Sequence, residues 1–430
     1  MNSLYNIIGR AVVTIIQLVY IPLLYNTLGE NQYGLYAIAF IIFLNIQILD
    51  FGIGKATIRL FSIYNEVEKQ KLFYSLFFFV LLIFIFFSPI FYIIFKVTEY
   101  NVYDSSIFLI ASIWGLLEII KMFLIGVQLF YEKFLEYNIV IATSEMIKLI
   151  IVILMSIYKF DLLYLIFFFS ITSLLQILYY LLRFKFTFIK SFKTEYCSFK
   201  FIIDNFSVFK NLTLSNLLLK ANFTIDKLAV WFVGSNEILA RYYLSMQIIS
   251  KAVEFPQNIM IGFNSKIAIF SNKKNSSPKS GSELVKKSLL YSIFFVFLGI
   301  IIFELVGNII LPLILTEYNE DIYSYISLLF YSVPYTIITL QTMNVINMAG
   351  KLVKILHIQS IQIISMLLGI SLIGNNLNIN YLIDLFILSS FLVSLFASFQ
   401  LVKWNQQLKS FLIKIYLAVV SIQLCISLLI

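Results

Sequence analysis

The chain has 430 residues, 61% of them hydrophobic and 12% charged, with a mean hydropathy of +0.94. Soluble domains carry about 25% charged residues, so this composition excludes an ordinary water-soluble enzyme. The net charge of +9 would suggest nucleic acid in a soluble protein; here the basic residues sit in loops on one side of a membrane pattern, as on a cytoplasmic face, and no nucleic-acid partner is expected.

Apolar segments recur from end to end: 4–26, 34–56, 73–95, 105–129, 138–157, 162–182, 206–232, 239–264, 288–312, 323–346, 355–374 and 379–402. Each is near the roughly 20 residues that cross a bilayer core. The class is therefore an all-α integral membrane protein with twelve spans. A thirteenth apolar stretch, 411–430, carries Lys414, Ser421 and Gln423, and either spans or lies along the interface. Arg10 falls inside the first apolar run and no small-residue cleavage site follows, so that run reads as a retained span.

Alternate loops differ in charge. One side collects nearly all the loop lysines and arginines, including Lys69, Lys133, Lys190, Lys273 and Lys351, while the other carries Glu99, Asp104, Glu317, Glu320 and Asp321. The basic side is cytoplasmic by the positive-inside rule. The N-terminus and residues 403–410 then both lie inside. The opposite loops are too short for an external catalytic domain.

The basic linker 184–205 divides the chain into an N-terminal six-helix lobe, 1–183, and a C-terminal one, 206–402, followed by a basic segment and the extra apolar stretch, 403–430. Ser271 to Ser282 reads as a flexible turn-rich linker. The lobes repeat weakly: Leu28-Gly29 before Tyr33-Gly34-Leu35-Tyr36 is matched by Val233-Gly234 before Tyr242-Tyr243. Two pseudo-symmetric six-helix repeats are a transporter layout, with the substrate path between them.

A charge at mid-span costs at least about 2.5–3.5 kcal/mol, and such residues face a cavity or a partner. Glu118/Lys121, Glu145/Lys148 and Lys251/Glu254 are opposite charges three apart, on one helix face. They either neutralise one another or line a polar lumen, where Glu118 and Glu145 could bind a proton or Na⁺. Arg10, Lys220, Lys227 and Arg241 form a cationic set. Lys220 and Lys227, seven apart, share roughly one face of the seventh span. Cations from the first and seventh spans would converge on an anionic ligand; snorkelling to an interface is the plainer reading, above all for Arg241. Asp226, beside Lys227, is the first candidate for ion coupling, and a fixed ion pair is its alternative. Gln341, Asn344 and Asn347 step along the tenth span as a polar lumen lining, or bond to adjacent helices. Pro256 and Pro334 fall inside spans and would kink them.

No catalytic residue set or metal site is expected. His357 is the only histidine, and Cys197 and Cys425 are too far apart for a metal motif. No phosphate-binding Gly-rich motif implies ATP, so no cofactor is expected and an H⁺ or Na⁺ gradient is the energy source.

Asn6…Gly9-Arg10…Gln17…Pro22-Leu23-Leu24…Leu28-Gly29…Tyr33-Gly34-Leu35-Tyr36, then Leu49-Asp50-Phe51-Gly52-Ile53-Gly54…Arg59, resembles the polysaccharide biosynthesis proteins, the O-antigen and capsule flippases of the multidrug/oligosaccharidyl-lipid/polysaccharide exporter superfamily. Asp226-Lys227 with Val233-Gly234, and Asn344…Asn347…Gly350-Lys351, look like the family's second half. The resemblance implies a MATE-like V of two six-helix bundles in the bacterial inner membrane. It also implies ion-driven flipping of undecaprenyl-pyrophosphate-linked oligosaccharide, with Arg10, Lys220, Lys227 and Arg241 as the cationic cleft and polymerase and chain-length proteins as candidate partners. A monomer is expected, since two lobes already enclose a path. The rival readings are a multidrug cation antiporter of the same superfamily, expected to have an anionic cavity, and an O-antigen polymerase, expected to have a large outer loop.

Overall fold

The computed structural model describes the backbone of residues 2–61, 64–97, 102–131, 133–184, 203–272, 278–316, 318–348, 351–373 and 378–429. It describes their side chains except at 2–8, 10–11, 97, 102, 134, 184, 206–208, 255, 258–272, 278–281, 348, 352 and 426–429. Helix accounts for almost all of it. Cys197, Glu99, Glu317 and most of the basic linker fall outside the described residues.

The first helix, α1 (Asn2–Ile46), is broken at Gly29, whose φ of 70° and ψ of 168° no helical residue adopts and which glycine accepts without a Cβ clash. A 3₁₀ turn, Gln47–Asp50, then interrupts the second span, and the left-handed Phe51 (φ 48°) and Gly52 (φ 69°) lead into α2 (Ile53–Phe61). Four long helices follow: α3 (Glu66–Val97), α4 (Val102–Phe130), α5 (Phe134–Tyr158) and α6 (Leu162–Phe184). Beyond the linker come α7 (Phe206–Val233), α8 (Asn236–Asn272) and α9 (Pro278–Ile314). The tenth span is broken: α10 (Glu320–Phe330) and α11 (Val333–Met348) meet at 45°. Then run α12 (Leu352–Ile373), α13 (Ile379–Trp404) and, after a 3₁₀ turn Gln406–Leu408, α14 (Lys409–Leu429).

Nine helices among the described residues are long and apolar enough to cross a membrane, or ten with α10 and α11 taken as one bent span. The first of these is a 50-residue stretch, Val12–Phe61. It would reach about 75 Å at 1.5 Å per residue, so the break at Gly29 makes it two crossings. Charged side chains hold α7 and α8 below that apolar test, Lys220, Asp226 and Lys227 on one, Arg241, Lys251 and Glu254 on the other. With these counted, each of the thirteen expected stretches falls on helical structure, the second and tenth in broken form, and the protein is a multi-pass helical membrane protein.

Pro256 lies inside α8 as expected. Pro334, in the first turn of α11 where its missing N–H is harmless, stands just after the 45° bend, so the tenth span is kinked there as expected. One expectation needs correction. The segment Ser271–Ser282 is not a linker throughout. α8 runs to Asn272 and α9 starts at Pro278, because a proline fixes φ for a helix start whatever polar residues follow it.

Contacts divide the chain into two units, Met1–Thr224 and Ile225–Ile430. In the first, α4 is central, packed on α1, α2, α3 and α6, while α1 also packs on α5. Its core includes Ala56, Phe61, Leu72, Phe123 and Phe209, the last brought in by the start of α7. Small residues set the closest approach: a Cβ on Gly126 of α4 would lie 2.5 Å from the carbonyl oxygen of Gly54 on α2. In the second unit α8 packs on α9, α10 and α11, and α13 on α11 and α12. The thirteenth stretch joins this unit: Tyr335 Oη donates to Gln423 Oε1 of α14 at 2.7 Å, and Gln423 Nε2 donates to the Tyr331 carbonyl at the break in the tenth span at 2.8 Å.

Candidate functional site

The break at residues 47–52 leaves backbone groups that a continuous helix would satisfy. In a bilayer each such group must find a partner inside the protein. The sequence supplies them locally and from α7. Asp50 Oδ1 accepts the Gly52 N–H at 2.7 Å, and Thr213 Oγ1 donates to the Phe51 carbonyl at 3.0 Å. A Cβ on Gly52 would sit 2.7 Å from the Leu212 Cβ, so the turn and α7 touch backbone to side chain.

On that contact stands a cluster of polar side chains. Asn216 is buried and uses both ends of its amide: Nδ2 donates to Asp50 Oδ1 at 3.0 Å, and Oδ1 accepts from Lys55 Nζ at 3.1 Å. One turn along α7, Lys220 Nζ donates to the buried Gln47 Oε1 at 2.7 Å. Asp50 and Glu118 also lie within electrostatic reach of Lys220. Two cations and one carboxylate thus meet at a discontinuous helix, near the middle of α7. Discontinuous helices are where membrane transporters build binding sites. Lys220 is only half-buried and Lys55 is exposed.

The remaining expected residues are placed as follows. Arg10 lies on α1, and its side chain is outside the described residues; its neighbour Gly9 is close enough to α5 that a Cβ would sit 2.6 Å from the Asn138 Cβ. Lys227 holds Asp226 at 3.1 Å, and Tyr242 Oη donates to the same carboxylate at 2.8 Å, all three buried. Arg241 holds Asp321 of α10 at 2.9 Å. Glu118 pairs with Lys121 at 2.6 Å and accepts from Ser173 of α6 at 3.3 Å, and Trp114 Nε1 donates to that serine at 3.1 Å. Glu145 pairs with Lys148 at 2.7 Å and accepts from Gln17 of α1 at 3.1 Å. Lys251 and Glu254 pair at 2.9 Å. Gln341 is buried and donates to Ser288 of α9 at 2.6 Å, Asn344 is half-buried and Asn347 exposed.

Gln47, Lys55 and Asn216 were missed by the sequence reading. Gln47 and Asn216 carry no charge, and Lys55 sits at a span end where a lysine is ordinary. The available signal was Asp50-Phe51-Gly52: an acid and a glycine inside an apolar run.

The solved structures this chain is similar to fix the fold. An inward-facing multidrug resistance MATE family transporter of the MOP superfamily matches with a TM-score of 0.76 at 10% identity, over 94% of this chain and 99% of the other. Lipid II flippase MurJ, in an inward closed conformation, matches with a TM-score of 0.75 at 14% identity, over 92% and 86%. A MOP superfamily transporter from Pyrococcus furiosus, described as having a binding pocket of reverse polarity, matches at 0.68 and 11% identity, over 92% of each chain. No curated protein sequence matches the chain. The sequence profile of the polysaccharide biosynthesis proteins matches residues 1–255, a range that contains the broken span, Asn216 and Lys220. Over more than half its length the chain carries that family's pattern, on a MATE-like fold, and it belongs to the polysaccharide biosynthesis protein family.

Proposed function

We propose that this protein is a flippase that moves undecaprenyl-pyrophosphate-linked oligosaccharide, the repeat unit of an O-antigen or capsule, across the bacterial inner membrane. Its N-terminus lies on the cytoplasmic side. Alternating access is driven by an ion gradient, and the protein is a transporter rather than an enzyme. The reading is supported by family membership, and the observation that carries it is Lys220: a mid-helix cation held by an amide at a broken span, beside Lys55. The pyrophosphate group is the anion that such lysines suit, as point charges. Arg10 completes the cationic set. Lys227 and Arg241 already hold carboxylates, so they contribute to the cleft only if those pairs open. The lipid tail stays in the bilayer.

A carboxylate biases the inward against the outward state, since a ligand shifts two states only by its differential affinity for them. Asp226, Glu145 and Glu118, the carboxylates the sequence offered for this role, are each held by a lysine. A multidrug cation antiporter would need a net anionic pocket, and the two lysines against one carboxylate at residues 47–55 and 216–220 argue the other way.

The test is a reconstituted flipping assay on Arg10→Gln/Lys220→Gln. The account expects translocation of lipid-linked oligosaccharide to be lost while membrane insertion and yield are kept. Unchanged flipping removes these residues from the site.

A further inference from the structure

Most carboxylates inside the described membrane helices sit with a cation. Glu118, Glu145, Asp226 and Glu254 each touch a lysine, and Asp50 reaches Lys55 through Asn216. Asp384, five residues into α13, is exposed near a helix end. Glu304 is different. It lies ten residues before the end of α9, and among the described residues no cation touches it. Its two oxygens accept hydrogen bonds from hydroxyl groups alone: Tyr323 Oη on Oε2 at 2.8 Å and Ser327 Oγ on Oε1 at 2.5 Å, both from α10.

We propose that Glu304, with Tyr323 and Ser327, is a proton-binding site, and that the proton it takes up is the coupling ion. The coupling role rests on the flippase reading above; the proton site does not.

A carboxylate without a counter-ion is costly in a bilayer, whereas hydrogen bonds from two hydroxyls stabilise the charged form by a comparable amount. Hydroxyl groups also suit both protonation states, because each can donate to the carboxylate and turn to accept from the carboxyl O–H. A lysine, which only donates, would hold the ionised form and close the switch. The geometry is fixed by packing: the Tyr323 ring stacks on Phe303, with centroids 5.4 Å apart and planes at 18°. Glu304, Tyr323 and Ser327 are all half-buried, so the site is not sealed from proton exchange.

The elements packed on α9 bring little that competes. Tyr331, at the break after α10, lies within electrostatic reach of Glu304. On α8, Arg241 is held by Asp321 and Lys251 by Glu254. The Tyr335 hydroxyl of α11 donates to Gln423, and the turn Gln406–Leu408 has no titratable side chain.

The test is infrared difference spectroscopy of the full chain in lipid vesicles, between neutral and acidic pH, in H₂O and D₂O. A deuterium-sensitive carbonyl stretch of a neutral carboxyl group should appear on acidification and be missing in Glu304→Gln. Tyr323→Phe and Ser327→Ala keep the carboxyl and should shift that band, which carries the test if Glu304→Gln does not fold. A band unchanged in all three variants overturns the proposal, as does one that sodium ions displace at constant pH. In the flipping assay, Glu304→Gln should abolish acceleration by an imposed pH gradient; acceleration that survives overturns the coupling role. A band lost in Glu304→Gln, from a protein that moves no lipid-linked oligosaccharide, upholds the proton site and sinks the flippase reading.

Discussion

Helices α3 and α4 pack against each other in the first unit and present opposite surfaces. α3 carries the most apolar of the candidate spans, yet only 11% of that span is buried, whereas 67% of the span in α4 is buried and that helix carries the Glu118–Lys121 pair. In water the order would be reversed. Lipid tails are as apolar as leucine, so nothing draws α3 inward, and close packing and polar contacts decide what is inside. Ile85 and Phe86 of α3 are about two-thirds exposed, and Phe123 of α4 is fully buried. The polar helix is the interior one because its charges need partners that only the interior supplies.

This contrast can be broken at the pair. Lys121→Leu alone leaves Glu118 uncompensated and should cost about 3–5 kcal/mol, read as a large fall in unfolding temperature in lipid or detergent. Glu118→Leu/Lys121→Leu should recover most of that loss. A double variant as unstable as the single one would mean that the residues serve Ser173 and Trp114 more than each other. A smaller effect is expected at the broken span. Asn216→Ala leaves Asp50 and Lys55 without their bridge and should cost about 1–3 kcal/mol, measured in the same way. The smallest effect tests the other surface: Phe86→Leu on α3 should change stability by no more than about 0.5 kcal/mol. A large loss there would show that α3 is covered after all.

Span positions were legible in the sequence because membrane thickness imposes a 20-residue repeat that few side chains disturb. Even α7 and α8, which their charges hold below an apolar threshold, were readable from the loops around them. The paired charges were legible too, since three residues along a helix is a local distance. Asn216 was not: it meets Asp50 across 166 residues of sequence, and an uncharged amide in a span attracts no notice. The break at Gln47–Gly52 was hidden for a related reason. Leu49 and Phe51 keep the run apolar, so hydropathy passes over the turn, and only the acid and glycine of Asp50-Phe51-Gly52 hint at it. Lys227 and Asp226 are neighbours that helical geometry would point apart, and they pair because the lysine chain is long enough to curl back.

The most direct test of the central claim is made in cells of the source organism lacking this protein, by assaying surface polysaccharide together with lipid-linked oligosaccharide in each leaflet of the inner membrane. The account predicts that surface glycan is lost while complete repeat units accumulate on the cytoplasmic leaflet. Single units that still reach the outer leaflet without being polymerised would contradict it, because the missing step would then be polymerisation rather than flipping.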